Sequence, residues 1–267
     1  MTSDFDAETV HRFERETWSR CADLYLDGFA GLTRPTLPLL IEAAGVGQDT
    51  RLLEVGSGPG HISEALRQTG ATVTGIDFSG PMVEVARSRY PDVRFEEANA
   101  EQLPFDAESF DAVVSNFVVH HLARPQVVFE QVRRVLKPGG RFAFTVFADP
   151  EAQSSIGAFF AAVDEHHELE ELPHGPLFGV TDLDLYGSLL RAAGLTEPAF
   201  EFHKITWRTE TLDPVLQSFW TWGAMHALPQ ELQDRIEAAT REGLEMYRQG
   251  DGYALPHEVL LGRAQRP

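Results

Sequence analysis

Lysine is almost missing from this 267-residue chain: Lys137 and Lys204 are the only two, and 22 basic against 41 acidic side chains leave a formal net charge of -19. Such a surface repels polyanions, because nucleic-acid binding needs a basic face to neutralise phosphates. No nucleic-acid partner is therefore expected, and the acidity is read as solubility. Cysteine is reduced to Cys21, which excludes an intramolecular disulfide and any C-x-x-C zinc or redox site. No apolar run approaches the roughly 20 residues that cross a bilayer. The opening Met1-Thr2-Ser3-Asp4-Phe5-Asp6 lacks the basic and then apolar segments of a signal peptide. These absences lead to the expectation of a cytoplasmic protein with no membrane or metal partner.

The stretch Leu52-Leu53-Glu54-Val55-Gly56-Ser57-Gly58-Pro59-Gly60 is the most informative thing present. An apolar run ending in an acid and three alternating glycines suits a strand that turns sharply into a nucleotide-binding loop, where missing side chains let a ligand meet bare backbone. A dinucleotide fingerprint needs its third glycine three positions after the second, and that position is His61; here Gly60 follows Gly58 by two. Pyrophosphate binding, and with it a nicotinamide-dependent oxidoreductase, is disfavoured.

Around this loop the chain alternates strands and helices. Two helices precede the sheet, with Pro35 tolerated in a first turn and Gly45 and Gly47 marking the exit. Strands are expected in the apolar run from Leu52 that ends at Glu54, and at 71–76, 93–95, 110–115 and 141–147, separated by helices at 61–68, from Met82, and from Pro125 to the Lys137-Pro138-Gly139-Gly140 stop. That order implies right-handed crossovers and a parallel sheet with helices on both faces. Beyond Asp149-Pro150 the periodicity weakens. The acidic run 164–171 reads as a solvated helix end and cap loop, 182–193 as a helix, 199–207 and 253–263 as strands, and 211–250 as helical and aromatic-rich. The expectation is one domain over 1–267, made of a helical cap (1–48), a cofactor-binding core (49–150) and a second half (151–267) with a cap insertion near 208–250.

The glycine loop, a second acid at Asp77, the run Ala98-Asn99-Ala100-Glu101-Gln102-Leu103-Pro104-Phe105, the segment Ser115-Asn116-Phe117-Val118-Val119-His120-His121-Leu122 and the Leu136-Lys137-Pro138-Gly139-Gly140 turn occur in the order found in class I S-adenosylmethionine-dependent methyltransferases. Over 51–147 the chain resembles that family, and within it the group that includes ubiquinone and menaquinone biosynthesis methyltransferases. The resemblance implies an α/β, Rossmann-like sheet of seven strands, mostly parallel, flanked by helices and topped by a helical cap, with S-adenosylmethionine as cofactor. Glu54 then looks like the acid whose charge lies near the cofactor's amino group, and Gly56, Gly58 and Gly60 let backbone amides meet its carboxylate. Asp77 lies at the interval of an acid that accepts from both ribose hydroxyls, with helix capping as the plainer role. Phe78 and Met82 suit the two faces of adenine. Asn99 stands where the family has an Asp that accepts from the adenine amino group, an acceptor without charge. Ala100 offers a backbone amide to the ring, and Ser115 begins the segment whose backbone faces the methionine portion.

Methyl transfer asks mainly for alignment, because the sulfonium is already activated. His120 and His121 are the candidates for a base, against a packing or capping role. Trp18, Tyr25 and Phe29, with Phe219, Trp220, Trp222 and Met225, are candidate walls of an acceptor pocket, helix packing being the alternative for each. The expected activity is methyl transfer to an O, N or C atom of a small, apolar or aromatic molecule by a monomer or homodimer. A cofactor-binding sensor or regulatory subunit is the alternative; intact Gly58 and Asp77 favour the enzyme.

Overall fold

Strand β1 (Arg51–Val55) carries Leu52 and Leu53, both fully buried, on opposite faces. A strand apolar on both sides needs a helical layer above and below it. In the computed structural model, which describes residues 6–148, 154–167, 172–220 and 225–267, both layers are present. β1 pairs in parallel with β2 (Thr72–Asp77) on one side and β4 (Phe110–Asn116) on the other. β3 (Arg94–Glu97) and β5 (Leu136–Phe147) extend the parallel ladder outward. The ladder then reverses. β8 (Gly252–Gln265) is antiparallel to β5, and β6 (Thr196–Thr209) is antiparallel to β8, giving the order β3-β2-β1-β4-β5-β8-β6. β7 (Arg248–Gln249), a two-residue strand paired with β8, raises the expected seven strands to eight among the described residues.

Leu52 packs with α3 (Leu37–Ala44), α4 (His61–Arg67) and α5 (Gly80–Arg89), and Leu53 packs with α6 (Pro125–Val135) and α8 (Leu183–Ala192). The Lys137-Pro138-Gly139-Gly140 stop is a bulge within β5: pairing with β4 jumps from Phe110↔Leu136 to Ala112↔Arg141.

The late strands are longer than their periodicity suggests, at 14 residues each. β5 pairs with β8 only as far as Phe147↔Val259, whereas β6 and β8 remain paired to Thr209↔Tyr253. The hairpin thus projects past the sheet as an arm. Its Ile205, Trp207 and Leu255 form a separate apolar cluster with α7 (Ser154–His166), α9 (Asp213–Trp220) and α10 (Gln230–Leu244). Of the acidic run 164–171, residues 168–171 lie outside the described residues, and α7 ends at His166.

Three helices rather than two precede the sheet: α1 (Ala7–Cys21), α2 (Phe29–Thr33) and α3. Asp6 caps α1 by accepting from the Glu8 amide at 3.1 Å. The buried side of α1 is Ala7, Val10, Glu14, Thr17 and Cys21, a stripe at helical spacing with a carboxylate in its middle. No helix among the described residues is long and apolar enough to cross a membrane.

Candidate active site

Strand order reverses at β1, whose neighbours β2 and β4 lead away in opposite directions, and open α/β sheets bind ligands beyond the carboxyl ends of strands at that point. A cavity of about 840 Å³, its open mouth included, lies there. Gly56, Gly58, Asp77, Phe78, Met82, Asn99 and Ala100 line one part of it; Trp18, Tyr25 and His121 line another.

Backbone hydrogen bonds fix the first part. The amides of Gly56 and Ser57 both donate to the Ile76 carbonyl at 2.8 Å, binding the glycine loop to the end of β2. Asp77 joins the two loops, accepting from the Gly58 amide on one oxygen and the Ser79 amide on the other, each at 2.9 Å. Burial pushes its carboxyl up to about 6, opposed by these amides. Gly58 has φ +51°, and a Cβ there would meet nothing within 4 Å. It is an open cradle in which a side chain would stand in the cavity. Gly60 is different: a Cβ would come within 2.6 Å of the Phe95 ring, so this glycine permits close packing of the loop on β3. It does not line the cavity.

Several other expected residues stand elsewhere. Glu54 is buried behind the loop, accepts a hydrogen bond from the Ser63 hydroxyl, and does not line the cavity. Burial raises its pKa to about 8, against the Ser63 hydrogen bond and with the Asp77 charge, which works against the expected negative charge. Ser115 donates to the Val55 carbonyl at 3.0 Å and ties β4 to β1. His120 is buried against Phe147 and Phe178, with its Nδ1 unbonded and its pKa lowered well below the ordinary value by burial and then by His121. Phe29 bridges Trp18 and Phe219, and Phe219, Trp220 and Met225 belong to the arm cluster. None of these lines the cavity. Trp222 lies outside the described residues. The cap aromatics are core because the arm must bury its own apolar face, which periodicity in one segment does not reveal.

Beyond the expected residues, α1 and the segment from the end of β4 to Leu122 contribute to the lining. His11 and Glu14 line the cavity, as do Asn116, Phe117 and Leu122. Phe117 has φ +56°, a left-handed conformation rare for an aromatic residue, and its amide is held by the Thr145 carbonyl at 3.0 Å. Asn116 donates to the Thr33 carbonyl at 3.2 Å and accepts from the hydroxyls of Thr36 and Thr145, at 2.8 and 2.5 Å. Burial pushes neighbouring His61, bonded to the Thr33 hydroxyl at 3.0 Å, down to about 3. Glu14 accepts from the Trp18 indole and from His121 Nδ1, each at 3.0 Å. On the rim, His11 meets Glu101 at 2.7 Å, and Arg124 donates to Glu101 at 2.8 Å and Glu8 at 3.2 Å, fastening α1 across the opening. Among the described residues, no group of three or more His, Cys, Asp and Glu side chains is arranged to hold a metal ion. The helical spacing of Val10, Glu14, Thr17 and Cys21 is the signal that marks the inner face of α1.

Residues 53–144 match the methyltransferase domain family. The chain is 36% identical over 120 residues, 45% of its length, to a demethylmenaquinone methyltransferase of Renibacterium salmoninarum, of which 51% is covered. It therefore spans about half the length of that curated relative. Among solved structures, a putative methyltransferase of Haloferax volcanii, in complex with the Trm112 activator, superposes with a TM-score of 0.60 at 24% identity, covering 94% of this chain and 97% of that one. Phosphoethanolamine N-methyltransferase 2 of Haemonchus contortus, with S-adenosylhomocysteine bound, has a TM-score of 0.55 at 21% identity over 88% of this chain and 52% of its own. Gly58, Asp77 and Asn99 fall inside the matched segment, whereas Glu14 and the whole arm fall outside it. Residues 53–144 thus match a methyltransferase domain, and the chain as a whole shares the fold of solved methyltransferases.

Proposed function

We propose that this chain transfers a methyl group from S-adenosylmethionine to an O, N or C atom of a small, apolar or aromatic molecule. The observation that carries the reading is the gathering of Gly56, Gly58, Asp77, Phe78, Met82, Asn99 and Ala100 on one cavity at the switch point, beside aromatic and ionisable groups from α1. The unfilled space over Gly58 suits a ligand that lies on bare backbone. In this reading Asp77 accepts from the ribose hydroxyls, Phe78 and Met82 flank the adenine, Asn99 and Ala100 meet its edge, and Gly56 and Gly58 present backbone to the methionine portion. Glu54, Gly60 and Ser115 hold the loop and strands in place.

The bound cofactor supplies an electrophilic methyl group, and the protein supplies alignment and exclusion of water. α1 and the turn after it close the cavity with Trp18 and Tyr25, leaving the acceptor between them and the loop after β4. The chain acts as one catalytic unit whose arm cluster supports the acceptor side. Its net charge of -19 disfavours nucleic-acid acceptors and supports a small-molecule partner.

Calorimetric titration with S-adenosylmethionine, S-adenosylhomocysteine and NADH tests the reading. Binding of both sulfur compounds but not NADH is expected. Failure of both to bind overturns it; binding without transfer to any acceptor would point to a sensor.

A further inference from the structure

Glu14 is 3% exposed on the inner stripe of α1. A buried carboxylate is retained only where it is paired and hydrogen-bonded. It has two partners: the Trp18 indole on Oε2, and His121 Nδ1, 107 residues away in the chain, on Oε1, each at 3.0 Å. The Trp18 and His121 rings meet edge to face with centroids 5.2 Å apart, which fixes the histidine plane. With Nδ1 committed as donor to a carboxylate, Nε2 is the acceptor nitrogen. It makes no hydrogen bond among the described residues, and its ring lines the cavity.

The charge of the cavity supplies a second observation. Its lining includes the carboxyls of Glu14, Asp77 and Glu101, and no lysine or arginine among the described residues. The segments outside those residues, 1–5, 149–153, 168–171 and 221–224, contain no lysine or arginine either. A carboxylate or phosphate acceptor would find no lysine or arginine in that lining, and Arg124 at the opening is already bonded to Glu101 and Glu8, so before the cofactor's own charge is counted its desolvation goes uncompensated.

We propose, resting on the methyl-transfer reading, that the acceptor is an uncharged aromatic hydroxyl compound whose proton passes to His121 Nε2, with Glu14 as the positioning residue. In balance, a C–O bond forms as the C–S bond of the cofactor breaks, sulfur keeps the electron pair, and the hydroxyl proton ends on the imidazole. The positive charge lost from sulfur reappears on His121, beside the Glu14 carboxylate that holds it.

The test uses the full chain saturated with S-adenosylhomocysteine and labelled with 15N at histidine. Long-range proton–nitrogen spectra should show His121 as the Nδ1–H tautomer in the wild type and in Glu14→Gln, whose amide oxygen still accepts. They should show it shifted to Nε2–H in Glu14→Ala. An Nε2–H tautomer in the wild type, or no change in Glu14→Ala with the fold intact by thermal melting, overturns the dyad. As probes of acceptor class, 2-naphthol should bind the saturated protein at least about tenfold tighter than 2-naphthoate. No preference, or tighter binding of the carboxylate, overturns the acceptor assignment. Failure of S-adenosylhomocysteine itself to bind overturns the methyl-transfer reading instead.

Discussion

The two walls of the cavity are built by different means. On the strand side, between β1 and β3, the groups that meet a ligand are backbone amides and short side chains held by local turns, and the bonds of the Asp77 side chain join residues no more than 19 apart. On the α1 side they are long side chains that meet only across the fold, as Glu14 meets His121. The first wall is set by local backbone geometry, and the second by contacts that exist only once the chain has folded. The methyltransferase-domain match covers the first and stops short of α1.

The comparison breaks if the arm and the cofactor wall are not separable. Phe219, buried at 4% exposure and stacked on Phe159 at 4.7 Å, belongs to the arm cluster alone. Phe219→Ala should cost about 3–5 kcal/mol of stability in denaturant unfolding, yet leave S-adenosylhomocysteine affinity within about twofold under native conditions. A large loss of affinity would join the two regions.

Within the cofactor wall, two glycines of one loop should answer differently. Gly60→Ala drives a Cβ against Phe95 at φ +86° and should destabilise by about 3 kcal/mol. Gly58→Ala meets open space, so thermal melting should register only about 1 kcal/mol of backbone strain while calorimetry records weakened cofactor binding. Equal effects on both measurements would erase the distinction between packing glycine and ligand glycine.

Asp77→Ala removes two charge-assisted acceptors from the ribose position and should raise the S-adenosylmethionine dissociation constant about 100-fold, about 2.7 kcal/mol. The melting temperature should also fall by a few degrees, since the Gly58 amide borders the cavity but the buried Ser79 amide loses its acceptor. Unchanged affinity removes Asp77 from the ribose site.

The last effect is read as a slope rather than as a single value. Glu54 has a folded pKa of about 8 against an ordinary 4.5 because of burial. Between those values the unfolded chain has released the proton and the native chain keeps it, so stability falls as pH rises through that window and levels off above about 8. The slope is at most about 1.4 kcal/mol per pH unit. Glu54→Gln, which can keep the Ser63 bond, should lose that slope in melts compared at pH 5 and pH 7.5. A wild type that gains stability over the same interval relative to the variant would reverse the assignment.

The strand wall was legible because its signals are local. Alternating glycines after an apolar run, and an acid after the next strand, specify a loop and its partner within about thirty residues. Each glycine's role was not legible, since Gly58 and Gly60 have the same side chain and differ only in what lies beside them. The choice between pocket wall and helix packing for the aromatics was open for a related reason. Phe219, Trp220 and Met225 have the composition of a pocket wall, but an arm that outruns the sheet needs a core of its own, and they form it. Glu14 and Asn116 were passed over because a charge in an amphipathic helix and a polar residue at a strand end are ordinary until something packs on them.

Alternation of apolar runs with glycine and acid therefore determined the parallel sheet, its glycine loop and the spacing that disfavours a dinucleotide, because each depends on backbone conformations that neighbouring residues set. Tertiary structure alone decided that Glu54 is a buried acid, that the late hairpin extends beyond the sheet, and that Glu14 holds His121. Those outcomes depend on solvation and on contacts between residues far apart in the chain, and neither is written in the residues on either side.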